Sequence, residues 1–183
     1  MNSKLSHAEA ELQSRPDARW SDRALAAARI AVAVYWLFEQ HWKLPPDFGL
    51  YQPRGLMFAF QQGIQYPTLG IYQTFLRDVV VPNFHLFGWL LFIGEVIIGT
   101  LLLLGLLTRA GALMGTAQAV NLLISQGSTP EGVWIYIAIL AANVFVLLTP
   151  CNRQWSIDRL LAPTLRASAA QGSRHARVML WLM

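Results

Sequence analysis

Glu95 is the single acid within Phe84–Leu107 (FHLFGWLLFIGEVIIGTLLLLGLL), an apolar run long enough to cross a bilayer. An ionisable group at that depth is costly, and it marks either chemistry or a buried pairing. Two roles stand open. Glu95 is a neutral or ion-paired carboxyl that fixes helix packing, or it passes protons or hydrogen-bonds a bound cofactor. Depth suggests its partner. At about 1.5 Å per residue, Glu95 lies roughly 16 Å and Arg29 about 20 Å below the outer ends of their helices. An arginine spans that mismatch, so an Arg29–Glu95 pair is expected if their faces meet. Otherwise Arg29 snorkels to the cytoplasmic surface. Gln118 and Asn143 fall in the same middle layer, so a polar layer drawn from four helices is expected.

Nearer the outer surface stand Glu39, His41, Lys43 and His85. Glu39 and Lys43 are four apart with the acid first, the favourable order for an intrahelical pair. His41 and His85 come from different helices, and two such histidines could ligate haem, copper or a chlorophyll-type pigment. The plainer reading, amphipathic side chains at the interface, is preferred. There is no His-x-x-x-His, Cys-x-x-Cys, Walker sequence or dinucleotide fingerprint, so no self-sufficient redox centre and no metal site is expected.

The elements that must position these groups are helices. Of 183 residues, 55% are hydrophobic and 13% charged, against roughly 25% charged in an average soluble domain. Mean hydropathy is +0.39. One cysteine, Cys151, excludes an internal disulfide. Four spans are expected, at about 24–42, 84–107, 110–125 and 130–148. Ser21 and Asp22 are candidate N-caps of the first. Thr129 is the candidate N-cap of the last, with Pro130 at its first position and Glu131 at the positive end of its dipole. Gly111, Ala112, Gly115 and Ala119 let the third span approach its neighbours closely. A soluble bundle would leave these helices apolar on every face in a chain too small to cover them. The fold class is therefore an all-α integral membrane protein, a four-transmembrane-helix bundle. It divides into an N-terminal segment 1–22, a membrane domain 23–161 and a C-terminal tail 162–183.

Between the first two spans lies segment 44–83, too polar and too often broken by proline to cross. Leu69, Tyr72, Leu76 and Val79 recur at helical spacing, and Leu56, Met57 and Phe60 form a second stripe. Two short amphipathic helices are expected there, lying in the interface or capping the bundle. Arg19, Arg23, Arg29, Arg109 and Arg153, with Lys4, Arg15, Arg159, Arg166, Arg174 and Arg177, would all fall on one side of such a hairpin topology. Only Lys43, Arg54 and Arg77 fall on the other. The positive-inside rule then places both termini in the cytoplasm, in a bacterial inner membrane. The net charge of +4 thus reflects topology, and no nucleic-acid partner is expected. No cleavable signal peptide is expected either. The apolar stretch 178–183 reads as an interfacial anchor or a partner contact.

The run Val81-Pro82-Asn83-Phe84-His85, continuing through Gly94-Glu95 and Gly99 to Gly105-Leu106-Leu107-Thr108-Arg109, resembles the DoxD/DoxX membrane protein family. Arg29, Lys43 and the exit Asn152-Arg153…Ser156-x-Asp158 extend the resemblance. Gln40 and Asn152 stand where the family pattern has glycine. The long segment before the second span is closer to DoxD than to DoxX. The resemblance implies a four-helix bundle and, for DoxD, the larger subunit of a thiosulfate:quinone oxidoreductase working with a smaller DoxA partner. Two functions follow. In the first, the chain is an enzyme subunit carrying electrons from a reduced sulfur compound to quinone. Glu95 then handles quinone protons, Arg29 sets its charge state, and Lys43, Arg54 and Arg77 receive the anionic substrate. In the second, the chain is a non-catalytic subunit packed against a larger respiratory or photosynthetic complex, and Glu95 and Arg29 are structural.

Overall fold

The computed structural model describes residues 16–130, 132–152 and 154–183. Lys4, Arg15, Glu131 and Arg153, which carried expectations above, lie outside the described residues. Among the described residues there are eight α-helices and no strand. They are α1 (Pro16–Phe38), α2 (Leu56–Gln65), α3 (Gly70–Phe75), α4 (Phe84–Leu104), α5 (Thr108–Gln126), α6 (Trp134–Leu148), α7 (Ile157–Ala170) and α8 (Arg174–Leu182). The chain is all-α. Helix α4 is long and apolar enough to cross a membrane, and α6 is apolar but shorter.

Helices α1, α4, α5 and α6 close a ring in which α1 packs on α4 and α6, and α5 on α4 and α6. Their shared core includes Ala33, Trp36, Ile98, Leu102, Ala119 and Val146. Small residues bring α5 close. Gly111, Ala112, Gly115 and Ala119 are all buried, and a Cβ at Gly115 would collide with the Asn143 side chain of α6.

The helix limits differ from the sequence expectation: α4 stops at Leu104 and α5 starts at Thr108, and the largest differences are at the two ends of α1 and the start of α6. Helix α1 runs back through Ser21 and Asp22 to Pro16, since nothing between breaks a helix and proline is tolerated in the first turn. At its other end the α-helix stops at Phe38, and Glu39–Trp42 winds into a tighter 3-10 turn. Helix α6 begins at Trp134, not at Pro130. Thr129 instead donates through both its amide and its hydroxyl to Gln126 O, closing the end of α5.

Segment 44–83 does fold into two short helices that cap the bundle. Phe48, Leu56, Phe60, Leu76, Val80 and Phe84 form a second core beneath them. The inward stripe is the half-buried Tyr72 with the buried Leu76 and Val80, while Leu69 and Val79 are exposed. A π-helical turn over Leu76–Val80 widens the spiral there and carries Val80, not Val79, inward.

Candidate functional site

Between the cap and the bundle lies a cavity of about 860 Å³. Helix α5 supplies one wall through Gln118, Asn121, Ser125 and Gln126, a polar face at helical spacing, and Thr129 follows in the turn beyond it. Tyr35 and Trp36 come from the end of α1, Trp42 from the 3-10 turn after it, Tyr72 and Leu76 from the cap, and Leu91 and Glu95 from α4.

Glu95 is 2% exposed and takes three side-chain partners. Lys43 Nζ pairs with Oε2 at 2.5 Å. Gln40 Nε2 donates to the same oxygen at 2.7 Å, and Gln118 Nε2 donates to Oε1 at 3.2 Å. A buried carboxylate needs such compensation, because the interior solvates charge poorly. Lys43, itself 5% exposed, also lies 4.7 Å from the centre of the Trp42 ring. The 3-10 turn explains why Lys43 does not pair with Glu39. Over Glu39–Trp42 the fourfold spacing is lost, so Trp42 Nε1 reaches Glu39 Oε2 at 3.1 Å and Lys43 turns inward. Three residues before Lys43, where the family pattern has glycine, Gln40 supplies a donor the sequence reading did not use.

Arg29 is elsewhere. It donates to Leu102 O and Trp155 O, both at 2.6 Å, so the expected Arg29–Glu95 pair is replaced by Lys43–Glu95. Leu102 is seven residues along α4 from Glu95, about 10 Å toward its far end. There the residues of the resemblance meet in a structural clasp. Gly105, left-handed at φ 60°, ends α4 with the paired turn bonds of Leu106 N to Leu101 O and Gly105 N to Leu102 O. Asp158 accepts from Leu107 N, Thr108 N and the Thr108 hydroxyl at 2.7, 2.9 and 2.7 Å. It thereby caps α5 from a distant part of the chain and places its charge at the positive end of that helix. Ser156 accepts from Arg159 N and caps α7.

The other candidates separate. Arg54 is exposed and lines the cavity mouth with the exposed His41. His41 holds Phe38 O at 2.8 Å. His85 lies against Phe48 and Phe84 and is not among the cavity-lining residues. Arg77 is exposed and bidentate with its neighbour Asp78, so its charge is met locally, and Lys43 is spent on Glu95. The three cations therefore do not form one outer anion site. Among the described residues no group of three or more His, Cys, Asp or Glu side chains could hold a metal ion. Asn143 joins the layer beside the cavity, accepting from Trp36 Nε1 at 3.2 Å. Phe48, which the sequence reading did not single out, is fully buried against Gly88, where a Cβ would strike its ring.

Among the described residues the chain is an all-helical bundle with one helix long and apolar enough to cross a membrane, a capped cavity and a buried ion pair at the cavity wall. The family model described as "TQO small subunit DoxD" matches residues 25–179, and the chain belongs to this DoxD family of membrane proteins. That description names the small subunit, where the resemblance had implied the larger. No curated protein and no solved structure gives a match.

Proposed function

We propose that the chain is a multi-pass membrane subunit of a quinone-linked oxidoreductase of DoxD type, and that the capped cavity receives the quinone. The observation that carries this reading is the Lys43–Glu95 pair at the wall of a cavity with aromatic and aliphatic lining. A quinone ring presents carbonyl oxygens when oxidised and hydroxyls when reduced. Lys43 supplies a donor for the first. Glu95 Oε1, with Gln118 as its one side-chain donor, has room to accept from the second. The residues thus fit the group, which as electron acceptor supplies the redox chemistry. Tyr35, Trp36 and Tyr72 shape the space around the ring, and the Glu95 carboxylate holds or releases the proton that accompanies each electron. Electron delivery falls to a partner, a DoxA-like subunit or a larger complex, and the exposed Arg54 at the mouth is the group that would meet an anionic sulfur substrate.

The membrane placement has its own support. Leu86, Ile93 and Ile97 on α4, Leu113 on α5, and Leu148 on α6 are exposed, which suits lipid and not water. In this reading α1, α4, α5 and α6 all span, and domain 23–161 is the membrane unit between two cytoplasmic ends. Binding tests the site directly. Titration of the purified protein in detergent with decylubiquinone should quench Trp36 and Trp42 saturably. Gln118→Leu, which removes the amide that holds Glu95 Oε1 at the cavity wall, should weaken the affinity roughly tenfold with unchanged helix content. Unaltered affinity in Gln118→Leu and in Glu95→Gln would sink the assignment.

A further inference from the structure

Away from the cavity, at the end of the bundle marked by the Asp158 clasp, α7 and α8 pack on each other, and α8 leans on α5. Both are amphipathic. On α7 the apolar Ile157, Leu160, Leu161 and Leu165 share one arc, and Arg159 and Arg166 lie opposite. Leu160 is 75% exposed and Trp181 on α8 64%, so much of this apolar surface has no cover within the chain. Arg159, Arg166, Arg174 and Arg177 are exposed. The one acid between 151 and 183 is Asp158, which is 1% exposed and committed to Leu107 and Thr108. Among the described residues of α7 and α8, these arginines therefore meet no acid of their own segment.

Two observations choose its occupant. Exposed Trp155 and Leu160 share a shallow surface groove with Leu104, in the exposed last turn of α4, so the surface continues from the helix read above as lipid-facing. Exposed arginines Arg23 and Arg109 stand at the same ends of α1 and α5, forming a basic rim around it. Apolar side chains beside exposed arginines suit a layer that is hydrocarbon on one side and negatively charged on the other.

We propose that α7 and α8 form an interfacial anchor lying in the cytoplasmic headgroup layer, where Arg159, Arg166, Arg174 and Arg177 bind anionic phospholipid. The proposal rests on the membrane placement given above, but not on the quinone reading. Hydrogen exchange on the full chain tests it, in nanodiscs of phosphatidylcholine alone or mixed with phosphatidylglycerol. Amides of 157–182 should exchange roughly tenfold more slowly in the anionic discs. That gain should vanish in R159Q/R166Q/R174Q/R177Q, while exchange in α4 stays slow throughout. Equal exchange in the two lipids, or protection that survives in the variant, overturns the anchor while leaving the embedded bundle intact. Protection given by added polyglutamate but not by phosphatidylglycerol overturns it too and assigns the surface to an acidic protein. Fast exchange in α4 as well overturns the membrane placement and the anchor together.

Discussion

Lys43 and Glu95 illustrate what one dimension of information carries. Glu95 was legible because it is the one charge in an apolar run. Its partner was not, because the depth count sets all helix ends level. They are not level: Lys43 follows the end of the first helix yet reaches the middle of α4. Arg29, a further fourteen residues along α1, therefore lies too deep for Glu95 and finds carbonyls near the end of α4 instead. The pair makes a quantitative prediction. Glu95→Gln leaves the buried Lys43 ammonium without a counter-charge, a loss of about 3–5 kcal/mol for a broken buried pair. Lys43→Met leaves the carboxylate to Gln40 and Gln118 alone and should also destabilise. The double variant removes both charges, so its loss should fall short of the sum by about 1–3 kcal/mol. Thermal unfolding of the four proteins in detergent measures this. Strict additivity would mean that the two charges do not stabilise each other.

At the scale of elements, the apolar stripes at 56–60 and 69–79 announced the cap helices, since helical spacing of apolar residues survives in any context. Local signals misplaced the start of α6. Thr129 and Pro130 are good helix-starting residues, but the Thr129 hydroxyl is taken by the carbonyl of Gln126 at the end of α5. A competing long-range or cross-element bond leaves no trace in periodicity. The same holds for the clasp: Asp158 caps α5 across some fifty residues of chain, a contact that spacing does not display. Gly105→Ala should be destabilising by about 1–3 kcal/mol, because a side chain is strained at positive φ and its Cβ would collide with Arg29 and Ser156. Asp158→Asn should cost about 1–3 kcal/mol, having lost the charge that faces the Leu107 and Thr108 amides. Both variants should leave quinone affinity in the folded fraction unchanged, because the clasp and the cavity share no lining residue. Loss of affinity at full helix content would couple the two ends.

For the whole molecule, charge is distributed by end. Exposed Arg23, Arg109, Arg159, Arg166, Arg174 and Arg177 gather at the clasp. At the cap, Lys43 is neutralised by Glu95 and Arg77 by Asp78, which leaves Arg54 exposed there. Retention of positive charge on the cytoplasmic side depends on basic residues in short flanking segments, and the clasp end has them. The even number of proposed crossings then brings the chain back to the side on which it started. A fluorescent protein that matures only in the cytoplasm, fused after Met183, should therefore glow. Alkaline phosphatase, which folds only outside, should be active when inserted beside Gln52, an exposed cap residue before α2. Replacing Arg23 and Arg109 with glutamine should erode this preference, while Arg54→Gln should sharpen it, because the rule responds to the difference between the sides. A fusion at Met183 that is active only outside, together with a silent insertion at Gln52, would invert the molecule. It would also move the cavity mouth and Arg54 to the cytoplasm, so the same pair of reporters decides from which side a sulfur-bearing anion reaches the site.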